Sequence, residues 1–134
     1  MKPFAIRLEE SGEKVSIELE GELDIATTPS ADAELRRVEK GVENGGARVI
    51  VLDLRGLTFM DSTGLRLLVS ADARARNGEY RLAIVRGPAA VQRVLELTSL
   101  DARLDVIDDP SEADGRAWGL GVGGVWGAGG PGGQ

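Results

Sequence analysis

The sequence contains no cysteine and no histidine in 134 residues, and these two absences remove much of the chemistry such a chain could carry. Without cysteine there is no disulfide framework and no thiolate nucleophile. Without histidine the Ser-His-Asp and Cys-His arrangements are excluded. Together the two absences leave no zinc site of the usual ligand type. No "GxxxxGK" loop is present and no "GxGxxG" follows a strand, so nothing in the sequence supports a nucleotide site or an enzyme.

Basic charge is also scarce. The 16 lysines and arginines are outnumbered by 22 acids, for a net charge of −6. A nucleic-acid partner is excluded on this ground, because phosphates call for a basic face. An acidic balance suits solubility or a partner with a basic surface. No apolar run reaches the length of a transmembrane helix, so membrane insertion is not expected. The opening "MKPFAIRLEE" lacks the continuous apolar core of a signal peptide. We read the chain as cytoplasmic.

What is present describes one globular domain, 42% hydrophobic and 28% charged. Phe4, Ile6 and Leu8 alternate with polar residues, as do Val15, Ile17 and Leu19, which is the period of half-buried strands joined by a hairpin at "ESGEK". Pro29 suits a first helical turn, with Thr27 or Thr28 as cap, and Ala31, Leu35, Val38 and Val42 share one helical face. "ARVIVLDL" reads as a central strand covered on both sides. A helix of about 15 residues then runs to Asn77–Gly78. "YRLAIV", a helix opened at Pro88, and "ARLDVI" complete the order β-β-α-β-α-β-α-β. Such alternation predicts an α/β fold with a mixed, mostly parallel sheet. We place this domain at residues 1–110 and read residues 111–134 as a flexible glycine-rich tail. Residues 115–134 hold ten of the nineteen glycines, among which Trp118, Val122, Val125 and Trp126 are apolar.

One stretch bears on function: "LTFMDSTGLRLL", residues 57–68. Serine and aspartate are ordinary helix caps, and an acid at a helix start gains from the dipole. Three details exceed what a cap requires. Ser62 and Thr63 are two hydroxyls in a row. Gly64 lies within the first turn, where lack of a side chain would let another molecule approach the backbone. The motif also follows the carboxyl end of a central strand, where open α/β sheets bind their ligands. Ser62, Arg66 and Ser70 are spaced by four and line one face, while Leu65, Leu68 and Val69 are expected to enter the core.

"GELDIATTP", "VIVLDLRGLTFMDSTGLRLLVSA" and "GPAAVQRVLELTSLDARLDV" resemble, in that order, segments of STAS domains, and particularly the bacterial anti-sigma factor antagonists. The resemblance runs from about Phe4 to Val106. It implies a sheet of about five strands with helices packed chiefly on one face. It further implies partner switching. The unphosphorylated antagonist would bind an anti-sigma factor that is also a serine kinase, which frees a sigma factor. The kinase would then phosphorylate Ser62, and a phosphatase would reset it. On the same resemblance Asp24 and Asp61 fall on the family's functional acids; Thr63, Gly64 and Arg66, beside Ser62 at the helix start, are read with them as partner-binding residues. Arg66 could alternatively pair with the phosphate. Asp53, within a strand, reads as a structural acid, and Thr27, Thr28 and Thr63 as secondary phosphorylation candidates. No catalytic, cofactor or metal role is assigned to any residue. The alternative function is a soluble STAS subunit of another complex, such as a transporter accessory or a stress-sensing assembly.

Overall fold

The computed structural model describes residues 3–113. Strand β1 (Ala5–Ser11) turns at Gly12, whose φ of +61° suits a two-residue connection, and returns as β2 (Lys14–Leu23). Helix α1 (Thr28–Glu43) leads to β3 (Val49–Met60), α2 (Ser62–Gly78) to β4 (Arg81–Val85), and α3 (Ala89–Leu97) to the short β5 (Val106–Ile107). The sheet order is β1-β2-β3-β4-β5, antiparallel in the first pair and parallel thereafter. The order follows the chain because each parallel crossover carries one helix and places the next strand beside the last.

All three helices lie on one face of the sheet. Ile17 and Leu19 of β2, Ile50, Leu52 and Leu54 of β3, and Leu82 and Ile84 of β4 form one core with Leu35, Leu68 and Leu95 of the helices. The opposite face holds a smaller apolar cluster of Val49, Val51, Ala83 and Val85, joined by Ile107 and Ala113. The chain after β5 recrosses that face in a single 3-10 turn, Pro110–Glu112. Lys14 Nζ donates to the Pro110 carbonyl at 3.0 Å, which ties the turn down. The β1–β2 half of the same face is ionic. Arg7 reaches Glu18 and Glu20, and Arg55 forks onto the buried Asp53 at 2.8–3.2 Å, so Asp53 is a paired structural acid. Residues 114–134, including Trp118, Val122, Val125 and Trp126, lie outside the described residues.

The buried stripe of α2 differs from the sequence expectation. Gly64, Leu67, Leu68, Ala71 and Ala75 face the core, Leu65 sits at its margin, and Val69 is exposed. Positions 64, 67, 68, 71 and 75 follow the i, i+3, i+4, i+7 rule without interruption. Asp72 and Arg76 therefore lie off the stripe, paired with each other at 2.8 Å.

Candidate functional site

The site arises from the way β2 and β3 outrun their neighbours. Pairing of β3 with β4 ends at Asp53 and Val85, but β2 and β3 remain paired through two register irregularities to Leu23 and Met60. Leu23 and Met60 are buried on the helix side. The next residues, Asp24 and Asp61, consequently leave the sheet side by side, and the Asp61 N–H donates to the Leu23 carbonyl at 3.2 Å. Register alone thus joins two acids 37 positions apart.

Each acid organises the backbone after it. Asp24 Oδ1 accepts the N–H groups of Ala26 (3.0 Å) and Thr27 (3.1 Å), an Asx turn that steers the loop into α1. Thr27 Oγ1 accepts the Asp24 N–H at 2.9 Å and donates to the Glu22 carbonyl at 2.7 Å. Thr27 stands at the cap position of α1 without a side-chain capping bond, and Pro29 lies in the first turn. Asp61 has extended backbone and caps α2, its Oδ1 accepting Thr63 N–H at 2.9 Å and Gly64 N–H at 3.3 Å. The Thr63 hydroxyl donates to the same oxygen at 2.5 Å. Thr28 Oγ1 and Thr63 Oγ1 meet at 3.4 Å and link the two loops. Asp24 and Asp61 have no salt-bridge partner among the described residues.

These bonds hold the Asp61 carboxyl below its ordinary pKa. The Thr63 hydroxyl contributes most, the Gly64, Thr63 and Ile25 amides add to it, and desolvation opposes it. A depressed folded-state pKa means that the unfolded chain binds the proton more tightly. The cap therefore contributes fully above the unfolded value of about 4 and is lost as pH falls through the lower folded value. We expect Asp61→Asn to flatten the acid side of a stability–pH curve below about pH 4 relative to the parent, while leaving the curve's shape near neutrality unchanged. Urea titrations between about pH 2.5 and 7 measure this; parallel acid limbs would refute the assignment.

One ambiguity is resolved here and one expectation changes. Of the two adjacent capping types, Asp61 is the cap and Ser62 is the first helical residue. The Thr63 and Gly64 amides, the kind of first-turn donors that host a phosphate at a helix start, are already occupied by Asp61. Gly64 is buried, not open to an approaching molecule. A Cβ built there would lie 2.6 Å from Met60 Cγ and 3.1 Å from Leu23 Cδ2, so its bare backbone is demanded by packing against the ends of β2 and β3.

Ser62 itself is exposed, and its hydroxyl makes no hydrogen bond among the described residues. Arg66 and Ser70 are exposed along the same strip, together with Val69 at 41%. The feature that sequence reasoning missed is Ile25, 75% exposed in the loop beside Asp61. Its signal was a lone large apolar residue in the stretch "DIATTP".

With this geometry in view, comparison with known proteins is decisive. A family model described as "Mlab, STAS domain" matches residues 6–108. The chain belongs to the STAS-domain family. The domain is 32% identical over 84 residues to an anti-sigma-B factor antagonist of Staphylococcus aureus, covering 63% of this chain and 74% of that one. It is 27% identical over 110 residues to the protein of the same name from Listeria monocytogenes, covering 81% and 91%. Among solved structures it resembles the unphosphorylated anti-sigma factor antagonist SpoIIAA, with TM-score 0.65, 25% identity, and 81% and 90% of the two chains covered. An anti-sigma factor antagonist from Mycobacterium paratuberculosis shares the fold at TM-score 0.71 and 22% identity, over 82% of this chain and 90% of that one. The five-stranded, one-sided STAS architecture expected from the sequence is thus the one present. Among the described residues no helix is long and apolar enough to cross a membrane.

Proposed function

We propose that this STAS domain is an anti-sigma factor antagonist that binds an anti-sigma factor serine kinase when unphosphorylated and is released by phosphorylation of Ser62. The observation that carries the reading is the contrast among hydroxyls at the paired loops. Thr27 and Thr63 spend their hydroxyls on internal bonds and Thr28 faces Thr63, whereas Ser62 is exposed and unbonded. A kinase must seat a free hydroxyl in line with its phosphoryl donor, and here that hydroxyl belongs to Ser62. The curated relatives are named anti-sigma-B factor antagonists, which supports an anti-sigma factor as the partner. A phosphatase would return the domain to its binding form.

The docking surface in this reading consists of the Asp24–Thr28 loop, the first turns of α2, and the exposed face through Arg66. Asp24 holds the loop that presents Ile25, Asp61 and Thr63 hold the helix start, and Gly64 lets that helix sit close on Leu23 and Met60. A large aliphatic side chain in a polar rim is the kind of anchor that carries binding energy. Ile25→Asp is expected to weaken binding to a serine-kinase anti-sigma factor by about tenfold or more without lowering thermal stability. Titration calorimetry with a kinase from the same organism, together with a thermal melt of the variant, tests the two parts; unaltered affinity would remove Ile25 from the interface, and no binding by the parent would remove the partner class.

The family description names a STAS domain without naming an antagonist. A second reading, a STAS subunit of another complex, follows if the parent domain is recovered with membrane transport proteins and ignores such kinases.

A further inference from the structure

We propose that Arg66 is the internal counter-ion of a phosphoryl group on Ser62, holding it along the outer face of α2. This rests on the reading that Ser62 is the modified residue, and it concerns what the modified domain then does. The usual host for a phosphate at a helix start is the set of first-turn amides. In this domain the Thr63 and Gly64 amides and the Thr63 hydroxyl are committed to Asp61. The fixed charges beside residue 62 are therefore those of Asp61 and, across the paired strand ends, Asp24. Both repel a phosphate.

The available cation lies in the other direction. Arg66 is four residues on, one turn along the same exposed face, a spacing that places the Cβ atoms about 5–6 Å apart. It makes no hydrogen bond or salt bridge among the described residues. The other two arginines of α2 are engaged: Arg74 with Glu39 at 2.9 Å and with Ser70 at 2.8 Å, and Arg76 with Asp72 at 2.8 Å. A guanidinium presents two parallel N–H groups to a phosphate, so the pair can close without moving the backbone. Repulsion from Asp61 and attraction to Arg66 act in the same direction, away from the Ile25 loop. The modified domain would thus tie its signal into a surface Arg66–phosphate pair, removing both the free hydroxyl and a free surface cation from the docking face in one step.

The test installs phosphoserine at position 62 during synthesis, so that no kinase is needed, and titrates its phosphorus resonance. The second ionisation of the phosphate, near 6 when unperturbed, is expected to rise by about 0.2–0.7 units in Arg66→Ala relative to the parent, the range set by surface ion pairs. Arg66→Lys should fall between the two. The Arg66 Nε resonance should shift on phosphorylation in the parent, and Asp61→Asn should lower the phosphate pKa in both backgrounds. An ionisation unchanged by Arg66→Ala, or a silent Arg66 resonance, overturns the pairing. Incubating the unmodified domain with a kinase and ATP is the separate control: failure there removes the phosphorylation reading while the charge pairing is still measured on the installed group.

Discussion

Phosphorylation of Ser62 is expected to reduce affinity for the anti-sigma factor by about 100- to 1,000-fold, with Ser62→Ala binding as well as the parent and Ser62→Glu in between. The magnitude follows from where the charge goes. Phosphoserine adds about −1.5 to −2 charges, and stripping water from such a charge at an interface, even one paired with Arg66, costs several kcal/mol. Each ~1.4 kcal/mol is a factor of ten, so a net penalty of about 3–4 kcal/mol gives the stated range. Glutamate carries one charge on a shorter reach and should deliver part of the effect. The isolated domain should tolerate the group, because Ser62 projects into solvent from the first residue of α2. Calorimetric titration of the four forms, with thermal melts of each, separates a binding effect from a folding effect. Equal affinity for phosphorylated and unmodified protein would mean that Ser62 lies outside the contact.

Gly64→Val is expected to destabilise the fold by about 1–3 kcal/mol, the usual cost of forcing extra carbons into a packed core. Gly64→Ala should cost less, since better helix propensity returns up to about 1 kcal/mol. The clash is with Met60 Cγ at 2.6 Å and with Leu23 at 3.1–3.2 Å. Leu23 is fully buried, and Cγ is not the free end of methionine, so neither neighbour yields easily. Urea titration should show a lower midpoint at unchanged slope. At temperatures where the variant remains folded, it should still bind the partner, weakened only as far as the helix start is displaced. A stable Gly64→Val that has lost binding would instead show that the glycine serves an approaching molecule.

This glycine illustrates what the sequence conveys and what it conceals. The order of elements was legible because period two and period 3.6 are strong signals, and the parallel sheet followed from the alternation. The buried face of α2 was not legible. Leu65, Leu67, Leu68 and Val69 are apolar around most of one turn, so any three of them can be read as a stripe. Gly64, Ala71 and Ala75 decide the matter, and small residues carry little hydrophobic signal although close packing depends on them. The cap was ambiguous for a different reason: Asp61 and Ser62 are adjacent, and both are good capping types. Only the backbone shows that the aspartate is extended and the serine already helical.

The pairing of Asp24 with Asp61 was likewise hidden. It depends on two irregularities in the β2–β3 register that let both strands run on to Leu23 and Met60. Ile25 was overlooked because one apolar residue in a loop has no period. The exposure of Ser62, Arg66 and Ser70, by contrast, followed directly from a spacing of four.

The most direct test of the central claim is to incubate the domain with ATP and a serine-kinase anti-sigma factor from the same organism, then measure intact mass and map the modified residue. Addition of a single phosphate at Ser62, abolished in Ser62→Ala and retained in Thr63→Val, is the expected result. A phosphate on Thr27, Thr28 or Thr63 instead, or no phosphate while the kinase modifies another substrate, would contradict it.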